Sequence, residues 1–586
     1  MHVDSSTSTI SVKGTALDPA KLGRDLRRKT GKKCEILLAQ SLAGTGTSTS
    51  TDTEGSHDES VSIKAYTEVS AVLASESREN FMVLIHLKAP PAQTNGTIAR
   101  DEAHISRSSR APIDLVVVLD VSGSMAGWKL ALLKQAMAFV VRNLSSTGRL
   151  LVVVFSSTTK RIFPLRKMGE EGQSQLLQAL DGLIATRGMN IAEGLRKGVK
   201  VLEDRKERNP VASIMLLSDG QDTYSMSSRR QLPLFPTTRV VADSRRLVPR
   251  SIRNNSSTGQ VQIPVHTFGF GSDHDAATMH SISEVSGGTF SFIQAEEAVQ
   301  DAFAQCIGGL LSVVAQDVQL TLACSDLGVR INGIHAGSYE STILDDTRNG
   351  VVKLGDLYAE EERDVLVDVT LPTFVPLQGE LFMPLMRASC IYKDTLTQKT
   401  NEEVAEELCI NRPSGSEPRE EVVVSLQVDR QRNRLKTAQA IAEARSLADQ
   451  GDIEAAQSGL QNARTMLENS LSAIAGDHLC NVLDSELSAI QERMVNRHMY
   501  ERSGRAYLLS AQSSHLRQRA TTRGDSVDGF MHDYQTPSMV DMVTLSQTRA
   551  PLLGPSSGSG ANAPPPSGGR SRSLLRRASA KVLRSH

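Results

Sequence analysis

The stretch IDLVVVLD (113–120), followed at once by VSGS (121–124), decides the fold of this 586-residue chain. A nearly continuous apolar run that stops at a Gly/Ser turn reads as a strand buried on both faces, the kind found in parallel sheets covered by helices on each side. The residues after it fit that reading. Leu130, Leu133, Met137, Val140 and Leu144 step by three and four, the spacing of one helix face. RLLVVVFSS (149–157) is a second buried strand, and KRIFPLR (160–166), with its proline, an edge strand. Helical stretches follow near 172–183 and 190–205. Then come ASIMLLSD (212–219), VHTFGFG (265–271), a helix around 275–286, the short strand TFSFI (289–293) and a helix from about 295. Strands alternating with helices imply an α/β, Rossmann-like, doubly wound domain over residues 111–300.

Further out, VQLTLAC, GVRINGI and VLVDVTLP alternate apolar and polar residues, so 301–424 reads as a β-sandwich. The strands of 61–110 have the same texture and are expected to join it. Residues 425–545 read as helical. Leu435, Ala438 and Ala442 mark one helix, and residues 449–452 a turn. Ile453, Ala456, Leu460, Ala463 and Leu467 mark its antiparallel return, with further helices over 482–496 and 499–520. Residues 1–60 are Ser/Thr-rich and 546–586 Pro/Gly/Ser-rich, then basic, and both are expected to be disordered.

Composition narrows the function. Lys plus Arg total 65 against 66 Asp plus Glu, a net charge of −1, which does not suit a dedicated nucleic-acid binder. Six cysteines with no CxxC pair exclude a sequence-local zinc knuckle and a disulfide scaffold, and suit a reducing compartment. No transmembrane run and no signal peptide are read. The expected location is the cytoplasm, with the nucleus as the alternative if the basic segment 570–586 is an import signal. Neither a phosphate-binding loop nor an HExxH motif occurs. His266, inside a strand, reads as a core histidine. An insertion at 224–259 carries seven arginines against Asp243 alone, and reads either as a solvated loop or as a surface for an acidic partner.

Chemistry concentrates at two strand ends. The first strand ends in Asp120-Val-Ser122-Gly-Ser124, and the 212–219 strand in Ser218-Asp219-Gly220. In a doubly wound sheet both lie on the rim where ligands bind. Two carboxylates and two hydroxyls, without thiolate or imidazole, suit Mg²⁺ or Mn²⁺.

This Asp-x-Ser-x-Ser motif, with Ser-Asp-Gly about 95 residues later, resembles the metal-ion-dependent adhesion site (MIDAS) of the von Willebrand factor A (VWA) domain. The resemblance implies that Asp120, Ser122, Ser124 and Asp219 hold a metal, and that a carboxylate from a protein partner completes its shell. It also implies a threonine from a second loop. The matching stretch here is Arg187-Gly188-Met189-Asn190, so Met189 stands in the threonine's place, and a thioether is a poor ligand for a hard cation. The site is therefore expected to be degenerate. Three further stretches, GWKLALLKQAMAFVVRNL, KGVKVLEDRKERNPVASIMLLSDGQD and HDYQTPSMVDM (532–542), resemble plant A-domain proteins with a C-terminal helical module labelled intein-like (Vwaint). Relatives in the wavy-growth group carry a RING finger and act as E3 ubiquitin ligases. Residues 1–110 hold Cys34, His2, His57, His86 and His104, too few for two tetrahedral zinc sites.

The sequence thus predicts a non-enzymatic intracellular scaffold that binds an acidic residue of a protein partner through a weak metal site. The alternative is a RING-less adaptor in a ubiquitin-ligase pathway, paired with RING-bearing relatives.

Overall fold

The computed structural model describes residues 60–92, 110–220, 247–253, 263–375, 381–414, 422–524 and 534–549, apart from 273 and 296–297, together with the short strands His2–Asp4 and Thr9–Ser11. Most of 1–59, most of the 224–259 insertion and all of 550–586 lie outside the described residues.

The first strand, Ile113–Asp120, is fully buried and sits within a seven-stranded sheet. The order across the sheet is Arg523–Gly524, Phe290–Ile293, Val265–Phe270, Val211–Ser218, Ile113–Asp120, Arg149–Phe155 and Thr159–Lys167. All neighbours are parallel except the last pair, an antiparallel hairpin. Pro164 lies in that edge strand, where a missing N–H costs no ladder bond. Successive strand residues face opposite layers. Leu115, Val117 and Leu119 pack against helices Trp128–Asn143, Glu170–Asp181 and Ala298–Leu310. Val116 and Val118 pack against Ile191–Asp204 and Ala276–Ser286. Asn190 and Asp275 cap the last two, accepting from the N–H groups of Glu193 and Thr278 at 3.0 Å each. The α/β, doubly wound reading is what the structure shows.

The sandwich has one sheet built on Val313–Cys324, flanked by Asn349–Tyr358 and Phe382–Asp394. The facing sheet runs Arg330–His335, Glu362–Leu371, Arg78–Lys88 and Ser62–Thr67. The strands before the α/β domain therefore complete the sandwich, with Ile85 registered on Val365. Its core contains Phe81, Val83, Leu320, Leu322, Val352 and Val367.

Helices Leu426–Gln450 and Ile453–Glu468 form the expected hairpin. Gly451 has φ 97°, and the side chain of Asp452 accepts from the N–H of Ala455 at 2.9 Å. The third helix is His478–Glu492, four residues earlier than predicted, because Asp477 caps it by accepting from the N–H of Cys480 at 3.2 Å. The fourth helical stretch passes through a π turn at Tyr500–Gly504, continues as Arg505–Arg517 and stops at Gln518, whose φ is 49°.

Two later elements tie this helical part to the α/β domain. Arg523–Gly524 is the seventh strand. The N–H of Phe292 donates to the Thr522 carbonyl at 2.9 Å, and that of Gln294 to the Gly524 carbonyl at 3.0 Å. Helix Pro537–Arg549 lies on Ala298–Leu310, with Met539 and Met542 in one core with Phe303 and Ile307. Contact there is close enough to require glycine. A Cβ at Gly308 would meet the Ser538 carbonyl oxygen at 2.7 Å and the Met539 Cα at 2.9 Å. Gly308→Leu is expected to push the two helices apart at a cost of about 1–3 kcal/mol, read by urea denaturation. An unchanged midpoint would show that the helix pair tolerates separation.

Between sandwich and helices lies a buried ionic junction. Glu361 pairs with Arg363 at 2.6 Å and with Arg519 at 2.8 Å. The Arg519 guanidinium also sits 4.0 Å over the Tyr358 ring. Nearby, Glu486 meets Arg523 and, at 2.5 Å, His515.

Candidate functional site

The rim forms where the first strand must end. Beyond Asp120 the chain makes a tight turn, Gly123–Met125, and takes a positive φ of 83° at Gly127 before helix Trp128–Asn143 begins. Asp120 is fully buried. One of its oxygens accepts from the Ser122 N–H and the other from the Ser218 hydroxyl, both at 2.8 Å. Burial, with the Asp219 charge adding to it, raises its carboxyl to about 6, against the pull of those hydrogen bonds. Ser122 and Ser124 hydroxyls lie 2.9 Å apart, and Ser124 donates to Asp219 Oδ1 at 2.6 Å. All four residues read from the sequence are thus brought together.

Met189 reaches the same place. Its sulfur lies 3.7 Å from the Ser218 hydroxyl. A Cβ at Gly220 would meet the Met189 methyl at 2.6 Å and Ser124 Oγ at 3.7 Å. Gly188, with φ 85°, brings the loop in against Ser157. The backbone N–H of Thr186 donates to the Val121 carbonyl at 2.7 Å, while its side chain is exposed.

Two residues went unnoticed in the sequence. Lys129 Nζ donates to Asp219 Oδ2 at 2.5 Å. The ammonium lies 5.6 Å from the Phe270 ring and 6.0 Å from that of Trp128. Trp128 stacks edge-on against Phe270, with centroids 5.6 Å apart, and is 47% exposed at the mouth of the site. The missed signal is directional. Helical side chains lean toward the N-terminus, so a first-turn lysine just after the turn reaches back over the rim.

Two carboxylates and two hydroxyls are hard oxygen donors and fit Mg²⁺ or Mn²⁺. The Met189 sulfur contributes nothing to such an ion, and Lys129 already holds one oxygen of Asp219. Among the described residues no cluster of three or more His, Cys, Asp or Glu could hold a metal ion, at the rim or elsewhere. His266 is a core residue, with Nδ1 2.9 Å from the Thr289 hydroxyl. Burial, with the Arg519 and Arg517 charges, holds its imidazole down to about 3. Among the described residues no helix is long and apolar enough to cross a membrane. Of the arginine-rich insertion, the described part includes the turn Arg250–Ile252 and an Arg253 bond to the Val248 carbonyl at 2.9 Å.

Comparison with known proteins follows the same division of the chain. The family profile of the von Willebrand factor type A domain matches residues 114–305, and that of the VWA / Hh protein intein-like (Vwaint) module matches 477–548. The chain is 33% identical over 441 residues to the E3 ubiquitin-protein ligase WAV3 of Arabidopsis thaliana, covering 74% of this chain and 53% of that protein. It is 29% identical over 453 residues to the E3 ubiquitin-protein ligase WAVH1 of the same plant, covering 74% of this chain and 55% of that protein. The chain therefore spans about half the length of the curated relatives it matches. A solved von Willebrand factor type A protein from Catenulispora acidiphila superposes with a TM-score of 0.51 at 16% identity, over 73% of this chain and 90% of that one, which shows the fold. One expectation is corrected. The sequence was read as that of a non-enzymatic scaffold, whereas these relatives are named as enzymes, E3 ubiquitin-protein ligases. The chain carries a von Willebrand factor type A domain and a C-terminal Vwaint module, and is homologous to the Arabidopsis ligases WAV3, WAVH1 and WAVH2.

Proposed function

We propose that this chain is the partner-binding arm of an E3 ubiquitin-ligase system. It captures a protein through the rim of its A domain, so that ubiquitin can be transferred to that protein. The observation that carries this reading is the convergence of Asp120, Ser122, Ser124 and Asp219 beside the half-exposed Trp128 at the carboxyl ends of a parallel sheet. Homology to named ligases supports the pathway. The four oxygen-bearing residues would hold Mg²⁺ or Mn²⁺. The ion would supply a positive charge for an acidic residue of the partner. The Trp128 ring would give the apolar contact typical of an interface anchor. RING-bearing relatives are the expected companions, and the cytoplasm or nucleus the expected place. The five described cysteines are all free thiols, in keeping with a reducing compartment.

The test uses the full chain with a RING-bearing relative, E1, E2 and ubiquitin, and scores proteins modified from a plant extract. Asp219→Ala and Trp128→Ala are each expected to remove most of the modification that depends on this chain. Calorimetry should show Mg²⁺ bound by the wild type and not by Asp219→Ala. Met189→Thr, restoring an oxygen ligand, should tighten it roughly tenfold, about 1.4 kcal/mol. Modification unaffected by both rim substitutions would rule out the rim as the capture surface.

A further inference from the structure

Asp120 and Asp219 are both buried at the rim. Two such carboxylates need a cation. The structure supplies one from the chain itself. Lys129 Nζ lies 2.5 Å from Asp219 Oδ2, and its side chain is 19% exposed, against none for Asp219. The other oxygen of Asp219 accepts from Ser124, so both are engaged. The ammonium is seated against the end of the Val265–Phe270 strand, where a Cβ on Gly271 would lie 3.7 Å from it.

We propose that Lys129 is the resident cation of the rim, a tethered ammonium that a divalent ion must displace before it can bind. This rests on the reading that the rim takes Mg²⁺ or Mn²⁺. A divalent cation at Asp219 and an ammonium on the same carboxylate repel each other, so the two occupy the site in turn. Lysine suits the exchange, being a point charge on a flexible four-carbon stem. It is anchored in the first turn of helix Trp128–Asn143, at the solvent edge. Displacement moves the charge outward past Trp128, and the mouth of the site gains an exposed ammonium when the metal enters. The partner then meets two positive groups, the ion and Lys129, which favours an acidic segment over a single acidic residue.

The experiment titrates MgCl₂ into the full chain after EDTA treatment. Binding is followed by calorimetry and by the fluorescence of Trp128, the single tryptophan of the chain. Lys129→Gln is expected to bind Mg²⁺ roughly tenfold tighter than wild type. In EDTA it is expected to melt below wild type, with Mg²⁺ closing the gap. Asp219→Ala should bind none. A second measurement needs no variant. Reductive methylation of wild type, read by mass spectrometry, should label Lys129 several-fold faster in Mg²⁺ than in EDTA. Equal Mg²⁺ affinity for wild type and Lys129→Gln, or unchanged labelling of Lys129 on Mg²⁺ binding, overturns the exchange and leaves the metal reading standing. Absence of Mg²⁺ binding by every variant overturns both.

Discussion

Replacing Glu361 by alanine will destabilise the protein by about 3–5 kcal/mol, the cost of leaving buried charges without their partner. Glu361 is 2% exposed and sits between Arg363, fully buried, and Arg519, nearly so. Its carboxylate takes Arg363 at 2.6 Å, Arg519 at 2.8 Å and the Tyr358 N–H at 2.9 Å. Truncation removes the anion from two guanidiniums that are largely shut off from water. Typical total stabilities are only about 5–15 kcal/mol, so a large part is at risk. Because Arg363 lies in the sandwich and Arg519 follows helix Arg505–Arg517, the loss also loosens the joint between them. Calorimetric unfolding of Glu361→Ala against Glu361→Gln measures it, and a shift within error would refute the account. The pH dependence has a definite sign. Burial favours the neutral acid, but Arg363 and Arg519 more than offset it and hold the Glu361 carboxyl below its ordinary 4.5. A depressed acid stabilises the fold above the unfolded value and loses that contribution as pH falls through the folded one. Wild type should therefore lose stability progressively below about pH 4.5, and Glu361→Gln should lose less over that window.

The second large effect is on the A domain cut away from its helices. A fragment of residues 60–424 keeps the A domain and the sandwich. It removes the seventh strand and helices Arg505–Arg517 and Pro537–Arg549. Phe290, Phe292, Met279 and Ile282 share a core with Leu508 and Leu509, and Phe303 and Ile307 share one with Met539 and Met542. Exposing the six that stay in the fragment (Phe290, Phe292, Met279, Ile282, Phe303 and Ile307) at about 1.5–3 kcal/mol each forfeits on the order of 10 kcal/mol. Phe290–Ile293 also becomes an open edge with unpaired backbone groups. The fragment is expected to aggregate or to bind the dye ANS as a loosely packed state, while the full chain elutes as one species. A cooperatively melting, monodisperse fragment would contradict this.

Much of the architecture was legible because burial on two faces leaves a plain trace. LVVVL, LLVVVF and IMLL are unbroken apolar runs, and they lie in three adjacent interior strands of the sheet. The strands of 61–110 show the same alternation as the sandwich strands, and Arg78–Lys88 pairs with Glu362–Leu371 across the intervening α/β domain. Asp120, Ser122, Ser124 and Asp219 could be gathered because strand ends in such sheets meet on one rim. What was not legible depends on partners that have no period. Arg523–Gly524 is two residues long, too short to carry any alternation, and is a strand only because Phe292 and Gln294 receive it. Arg363, Arg517 and Arg519 look like surface residues until Glu361, Tyr339 and Tyr358 surround them. Lys129 drew no notice, because its partner Asp219 lies 90 residues further along the chain. The third helix was placed late because Asp477 was not recognised as its cap, although Gly476, with φ 81°, marks the turn before it.

The seventh strand also sets a timetable. Ser291 and the Thr522 that bonds to it are separated by 231 residues. On a ribosome adding about 5–20 residues per second, roughly 10–50 s pass between synthesis of the one and arrival of the other. Throughout that interval the nascent sheet has an unfinished margin flanked by Phe290 and Phe292. Newborn chains are thus exposed to wrong partners for far longer than a local fold would be, and the yield of this protein in a cell should depend on holding chaperones more than its final stability suggests.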